Sequence, residues 1–126
     1  EAPAVRAACE SAGLALVPLA APASTDERLR AIGAEACGFV YAVSVAGTTG
    51  ERDELPAGLA RTVERIRAAA SVPVAVGFGI SGPEQARRVA EIADGVIVGS
   101  RIVRAAGEGG PAAVREVVAE LGEALR

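Results

Sequence analysis

The sequence predicts a parallel α/β fold, and the first observation behind this prediction is a regular alternation of apolar, strand-like runs with amphipathic helical segments. Four predicted strands are each followed by a predicted helix, and one further helix precedes the first strand. Such alternation implies parallel strands joined by right-handed crossovers. A full (β/α)8 barrel usually needs about 250 residues. A chain of 126 residues therefore has the length of half a barrel, with a doubly wound sheet as the alternative.

Two glycine-bearing turns, each at the end of an apolar run, provide the second observation. One follows residues 72–76 and has the sequence Gly-Phe-Gly-Ile-Ser at 77–81, and the other follows residues 95–98 at Gly99 and Ser100. Apolar runs rich in β-branched residues are typical of parallel strands buried on both faces, and glycine lets backbone N–H groups approach an anion closely. Ser100 opens a predicted helix whose N-terminus presents unpaired N–H groups. Two such turns after the last two strands form the usual phosphate site of a (β/α)8 barrel, so the predicted ligand is a phosphorylated small molecule.

Local start and stop signals delimit the individual elements. Gly13 ends the first helix, Ser24-Thr25-Asp26-Glu27 is a capping box, and Pro56 and Pro83 suit the first turn of a helix. A long loop over residues 46–54 separates the second strand from the helix that follows it. The predicted elements are, in order, helix 3–12, strand 14–19, a helix from the capping box to 36, strand 38–45, helix 56–70, strand 72–76, helix 83–93, strand 96–98, short helix 101–106 and closing helix 111–125.

The composition excludes several kinds of catalytic chemistry. The sequence contains no His, Lys, Trp, Asn or Met, which excludes an imidazole base, a Schiff-base lysine and a histidine-built metal site. Proton transfer would have to use Asp, Glu, Tyr41, a cysteine or water. Cys9 and Cys37 lack metal-site spacing and are interpreted as small buried thiols rather than nucleophiles.

Charge and hydropathy also limit the expected partners and location. The net charge is −3, the 13 cationic residues are arginines scattered along the chain, and only one Tyr and two Phe are present, so we expect no nucleic-acid partner. No apolar run is long enough to cross a bilayer, so no membrane partner is expected. The cytoplasm is the expected location, because no signal peptide or disulfide requirement is evident. Because position 1 is Glu rather than Met, the sequence is expected to be a piece of a longer chain.

Several collinear segments resemble the tryptophan synthase alpha subunit family. They are Gly-Phe-Val-Tyr at 38–41 with Gly-Thr-Thr-Gly at 47–50, the stretch from Pro73 to Gln85, Ala-Asp-Gly-Val-Ile-Val-Gly-Ser at 93–100, and Ala-Pro-Ala-Ser-Thr-Asp-Glu-Arg at 21–28. The last of these resembles the loop after the family's fifth barrel strand. The resemblance implies that residues 1–126 are a single C-terminal half of a TIM (β/α)8 barrel, comprising helix 4 and then β5-α5 to β8-α8.

The same resemblance implies roles for individual residues. Tyr41 and Phe78 match residues that line the substrate pocket, and Thr49 matches a mobile-loop threonine that supports the catalytic aspartate. The family more often has valine where this chain has Thr48. The family's catalytic glutamate and aspartate lie in the first half of the barrel, so this chain is expected to contain no catalytic residue. The family's glycerol-phosphate site falls on Gly50, Gly79, Ile80, Gly99 and Ser100.

The function implied by the resemblance is that of a lyase in tryptophan biosynthesis. The family reaction is the retro-aldol cleavage of indole-3-glycerol phosphate to indole and glyceraldehyde 3-phosphate. This chemistry needs one group to protonate the indole ring and another to deprotonate the glycerol hydroxyl, so the chain alone is expected to be inactive. No metal or cofactor is expected, since pyridoxal phosphate belongs to the family's beta subunit, which is the expected partner of the full-length protein.

Two other functions remain open at the level of sequence. One is a non-catalytic half-barrel that binds phosphate and assembles with itself or a partner chain, because four strands leave two open sheet edges. The other is a different phosphate-binding barrel lyase or isomerase that shares only the last two strands. The loop at 47–50 and Tyr41 argue against this last interpretation.

Each candidate residue also has a purely structural interpretation. Ser100 could serve only as an N-cap, and Tyr41 could fill the core. The loop carboxylates of Glu51, Asp53 and Glu54 are interpreted as solvated charges rather than replacement acids. Asp94 precedes its strand, so it is expected at the face of the barrel that provides stability and away from the chemistry.

Overall fold

The computed structural model describes residues 2–43, 55–77 and 79–126, which form a parallel sheet with helices between its strands. Each strand is followed by a helix, as the alternation of the sequence predicts. The helices are α1 (Ala2–Ser11), α2 (Asp26–Glu35), α3 (Leu59–Ala69), α4 (Pro83–Ala90) and α5 (Ser100–Ala124), and the strands are β1 (Leu19–Ala20), β2 (Val40–Val43), β3 (Val74–Gly77) and β4 (Gly95–Ile97).

The strands follow one another across the sheet in the order of the sequence. The order is β1-β2-β3-β4, and all three pairings are parallel. A doubly wound sheet reverses its strand order at a switch point, whereas a barrel adds each new strand on the same side. The described strands therefore have the topology of a half-barrel.

The helices cover one face of this sheet. Val40, Ala42, Val74 and Val76 are fully buried on the helix side, among residues that include Ile66. Alternate residues project to the opposite face, where Leu19 is 62% exposed and Tyr41, Val43 and Ala75 are half-buried. The prediction that the strands are buried on both faces is therefore wrong for this chain.

The amino-terminal elements differ from the sequence prediction in length and burial. β1 spans Leu19–Ala20 rather than 14–19, because it pairs with β2 through only two residues, Leu19 and Ala20. Leu14, where the first strand was predicted to begin, is 63% exposed, and Val5 of α1 is 51% exposed. An ion pair between Arg6 and Glu35 joins α1 to α2.

The starts of α2 and α3 both lie later in the chain than the sequence signals predict. Thr25 is the N-cap of α2, and its hydroxyl accepts a hydrogen bond from the N–H of Arg28 at 3.2 Å. The N-cap thus lies one residue later than the capping-box pattern predicts, and the Ser24 hydroxyl instead accepts from the N–H of Ala21 at 3.1 Å. α3 begins at Leu59 rather than Pro56. Its N-cap, Gly58, has a positive φ of 81°, which glycine adopts at little cost, and this turn delays the helix.

The carboxyl-terminal helix is longer than predicted. The sequence predicts a short helix and a closing helix separated by the glycines at 107–110, whereas α5 continues to a break at Gly110 alone. Gly110 has φ 61° and ψ −151°, and Pro111 follows as the first residue of the second segment. The first segment therefore extends over residues 100–109.

Candidate phosphate-binding site

The two glycine turns lie side by side at the carboxyl edge of the sheet. Gly77 of β3 pairs with Ile97 of β4, so Gly79 and Gly99 each lie two residues beyond a paired position. Parallel strands bring their carboxyl ends to one edge, and open α/β sheets and barrels bind ligands there. The side chain of Ile80 is only 2% exposed and belongs to the core, which leaves its backbone as the part that could face a ligand.

The N-terminus of α5 opens at this edge. Gly99 is the N-cap, and its carbonyl accepts the first helical hydrogen bond from the N–H of Val103 at 3.0 Å. Ser100 is the first helical residue, so its interpretation as an N-cap is wrong. Gly99 has a negative φ of −115°, and a Cβ on it would meet nothing within 4 Å. Neither backbone strain nor packing requires glycine here, and the space over its Cα is open at a helix end that favours anions.

Two side chains hold the backbone of the Ser81 turn. The Gln85 side-chain oxygen accepts a hydrogen bond from the Ser81 N–H at 2.7 Å and another from its hydroxyl at 3.1 Å, and Gln85 is only 5% exposed. Arg101 donates from Nη1 to the Ser81 carbonyl at 2.7 Å. Neither side chain has a role that was predicted from the sequence. Gln85 lies at the third position of α4, where a capping-box side chain reaches back, and that position was a usable signal.

Tyr41 lies on the uncovered face of the sheet and leans toward the carboxyl edge. It pairs with Ala75, yet its ring lies against Gly77, two residues further along β3. A Cβ on Gly77 would overlap the Tyr41 hydroxyl and ring carbons, so glycine is what permits this contact. The hydroxyl therefore lies beside the last residue of β3, two residues before Gly79.

The loop after β1 is fixed to α3 by one arginine. Arg65 donates to the carbonyl oxygens of Pro22 and Ser24, at 3.1 and 2.8 Å, and to the carboxylate of Asp26 at 2.7 Å. The hydrogen bond and charge of Arg65 lower the pKa of Asp26 below its usual value. These bonds fix the position of the carboxyl-end loop that resembles the family's loop after its fifth strand.

Asp94 performs a structural role at the opposite edge of the sheet. Its carboxylate accepts hydrogen bonds from Arg67 at 2.7 Å and from the N–H of Val74 at 2.8 Å. The Arg67 hydrogen bond and then the Val74 N–H lower the pKa of Asp94 below its usual value of 3.8. Because the folded state favours the charged form, this contribution to stability is present above that value and is lost as the pH falls through the folded pKa. The expectation that Asp94 lies away from the chemistry agrees with its position at the amino end of β4.

Several predicted positions fall outside the described residues. Among the candidate site residues these are Thr49, Gly50 and Phe78, and the acidic loop group Glu51, Asp53 and Glu54 lies there as well, together with Thr48.

Neither cysteine fits its predicted environment. Cys37 is exposed, in the turn that follows α2, and Cys9 is only half-buried on α1, so the interpretation of both as buried thiols is wrong. Within residues 2–43, 55–77 and 79–126, no three His, Cys, Asp or Glu side chains are grouped as a metal site would require. No helix in these ranges combines the length and apolar character of a membrane span.

The topology and the glycine turns define a class, the parallel β/α proteins of the barrel type with a helix N-terminus at the carboxyl edge of the sheet. Residues 1–124 match the family model described as "Tryptophan synthase alpha chain". The chain belongs to this family. It is 49% identical over 122 residues to the alpha chain of Rhizorhabdus wittichii, covering 94% of this chain and 45% of that relative. It is 46% identical over 130 residues to that of Acidothermus cellulolyticus, covering 100% and 48%.

Solved structures give the same result. Tryptophan synthase of Mycobacterium tuberculosis superposes with a TM-score of 0.88 at 42% identity, covering 100% of this chain and 48% of that one. A chain of the tryptophan synthase α2β2 complex of Pyrococcus furiosus gives 0.75 at 41% identity, covering 90% and 48%. The chain thus spans about half the length of these relatives, and the prediction of a TIM half-barrel is confirmed.

Proposed function

We propose that this chain provides the phosphate-binding half of a lyase in tryptophan biosynthesis that cleaves indole-3-glycerol phosphate to indole and glyceraldehyde 3-phosphate. The single observation that supports this most directly is the register of β3 and β4, which gives Gly79 and Gly99 equal offsets beyond Gly77 and Ile97. With the N-terminus of α5 at the same edge, backbone N–H groups of both turns would hold the phosphate of the substrate. In this proposal residues 1–126 are one C-terminal half-barrel, and β1 to β4 are its fifth to eighth strands.

The chemistry of the cleavage indicates which steps belong to this chain and which belong to the other half of the barrel. Breaking the bond between the indole ring and the glycerol chain requires a proton on the ring carbon and removal of the proton of a glycerol hydroxyl. We assign neither step to this chain, because the family's two catalytic carboxylates belong to the other half of the barrel. The chain would instead bind the phosphate and thereby position the glycerol chain for that pair.

The remaining candidate residues would shape the pocket. Tyr41 leans toward the carboxyl edge beside Gly77, which supports a place for it along the indole end of the substrate. Phe78 would lie beside the substrate, Thr49 would support the catalytic aspartate of the other half, and Gly50 would contribute to the phosphate site together with the backbone of Ile80. We propose no cofactor for this chain.

Replacing Gly99 with valine tests the phosphate site. The open space over Gly99 and its negative φ predict that the fold tolerates the side chain, while its methyl groups occupy the space proposed for the anion. We expect Gly99→Val to abolish binding of glycerol 3-phosphate, measured by calorimetry on the chain mixed with the N-terminal half of the Acidothermus cellulolyticus alpha chain. The control is Gly107→Val, an exposed glycine of the same helix with equally open surroundings, which should bind normally. Unchanged affinity in Gly99→Val would contradict the proposed site.

The full-length protein is proposed to work in the cytoplasm with a tryptophan synthase beta subunit. The support for this partner is the likeness to the α2β2 complex of Pyrococcus furiosus. Pyridoxal phosphate would belong to that subunit.

A second role, assembly of the half-barrel with itself or a partner chain, is favoured by the two outer strands of the sheet, β1 and β4. β1 and β4 each have one neighbour among the described strands, and an apolar cavity of about 450 Å³ lies beside β4, lined by residues that include Val96, Val118 and Leu121. Unpaired strand edges and apolar cavities favour association. We expect the purified chain to sediment as a dimer or larger species. A monomer whose β1 and β4 edge amides resist hydrogen exchange would contradict this role.

A further inference from the structure

We infer that Arg101 is a positioning residue that holds the two turns of the proposed phosphate site in place relative to each other. The inference rests on the proposed function, because it assigns a role to a side chain beside that site. Arg101 directly follows Ser100 in the first turn of α5, and its Nη1 donates to the carbonyl of Ser81 at 2.7 Å. The bond therefore ties the start of α5 to the end of the glycine turn that follows β3.

The guanidinium of Arg101 also forms an ion pair with a residue near the end of α5. Its Nη2 donates to the carboxylate of Glu120 at 2.9 Å, in the second segment of α5 beyond the break at Gly110. The Arg101 side chain is 27% exposed, and its charge-assisted hydrogen bond to Ser81 is partly shielded from water, whereas the bond to Glu120 is exposed. A planar guanidinium can donate to two separate acceptors at once in fixed directions, whereas the point charge of a lysine does not reproduce this geometry.

The backbone N–H and the backbone carbonyl of Ser81 are both hydrogen-bonded to side chains. Gln85 of α4 accepts from the Ser81 N–H, and Arg101 of α5 donates to the Ser81 carbonyl. A shift of α5 along its axis would strain the Arg101 bond and would also change the separation between the N–H of Ser100 and that of Gly79. Arg101 thus fixes the distance between the two groups of donors without needing to touch the anion.

The test is a titration with glycerol 3-phosphate of the isotopically labelled chain mixed with the unlabelled N-terminal half of the Acidothermus cellulolyticus alpha chain, followed through the amide NMR signals of Gly79, Gly99 and Ser100. We expect Arg101→Ala to bind at least about tenfold more weakly, the size expected for losing one hydrogen bond of a charged group. Arg101→Lys should lose most of the affinity as well, because it keeps the charge but not the two-ended geometry. Arg87→Ala, which breaks an exposed ion pair with Glu84 on α4, is the matched control and should bind as the parent does.

A Glu120→Ala variant distinguishes a positioning role of Arg101 from attraction of the anion by its positive charge. If Arg101 acted only through its positive charge, Glu120→Ala would strengthen anion binding by removing a nearby negative charge. Because the inference makes Glu120 an anchor for the guanidinium, we expect weaker binding instead. Tighter binding in Glu120→Ala, or parent-like affinity in Arg101→Lys, would overturn the positioning role.

The outcomes also distinguish this inference from the proposed function. If the amides of Gly79, Gly99 and Ser100 do not respond when the unmutated chain is in this mixture, the phosphate site itself is wrong. If they respond and Arg101→Ala binds with the same affinity, only the role of Arg101 is wrong. Urea denaturation of each variant sets the conditions under which all are folded, and Glu120→Ala provides the decisive measurement if Arg101→Ala does not fold.

Discussion

The purified chain is expected to release no detectable indole from indole-3-glycerol phosphate, whereas a mixture with the N-terminal half of a relative's alpha chain should release it. The physical reason is that the reaction needs two proton-transfer groups, which we assign to the other half of the barrel. Each missing group costs on the order of 10²- to 10⁴-fold in rate. The measurement is indole formation by the chain alone, by the N-terminal half alone and by the mixture.

Variants of the phosphate site and of the acidic loop test this expected activity further. Gly99→Val in the mixture should lose activity through the phosphate site, while Gly107→Val should keep it. Turnover by the chain alone that disappears in Glu51→Gln or Asp53→Asn would show that the loop carboxylates act as replacement acids. That outcome would contradict both the proposed division of labour and the interpretation of these residues as solvated charges.

Gly33→Ala is expected to destabilise the fold strongly, by about 1–3 kcal/mol or more, because α2 and α3 approach each other closely at this residue. A Cβ on Gly33 would overlap the backbone carbonyl of Ala69 and approach the Cα of Ala70. Backbone atoms cannot rotate away as a side chain can, so one helix would have to move. The free energy of unfolding in urea measures the effect.

The matched control is Gly122→Ala in α5. Gly122 is exposed, and a Cβ there would meet nothing within 4 Å, so only helix propensity acts. This variant should be as stable as the parent or more stable by up to about 1 kcal/mol. Equal stabilities for Gly33→Ala and Gly122→Ala would show that the two helices can separate at little cost.

Much of the architecture could be predicted because its signals are local. The signals for the start of α2 and for the stop of α1 at Gly13 depend on residues within one turn of each other, and both place the helix ends close to where the structure has them. The strand–helix alternation gave the parallel sheet in the same way. The predictions that differ concern residues whose environment is set elsewhere, such as Leu14, which is exposed where a strand was expected.

In the candidate site, too, residues marked by a local pattern could be predicted, whereas contacts between distant residues could not. Gly79, Gly99 and Ser100 could be selected from the sequence because a glycine at the end of an apolar run is a local pattern. The contact of Arg101 with Ser81 could be found only in the structure, since a scattered arginine looks like an ordinary surface residue in sequence. Gln85 was missed although its place at the third position of α4 is a local signal.

By itself, then, the sequence determined that this protein is a parallel β/α chain with two glycine turns after its last two strands, since hydrophobic periodicity and glycine placement act over a few neighbouring residues. Only the tertiary structure decided which face of the sheet the helices cover, that Gly33 must lack a side chain beside Ala69, and that Arg101 joins the turn at Ser81 to the start of α5. These features depend on contacts between residues far apart in the chain, and such contacts exist only once the helices have packed on the sheet.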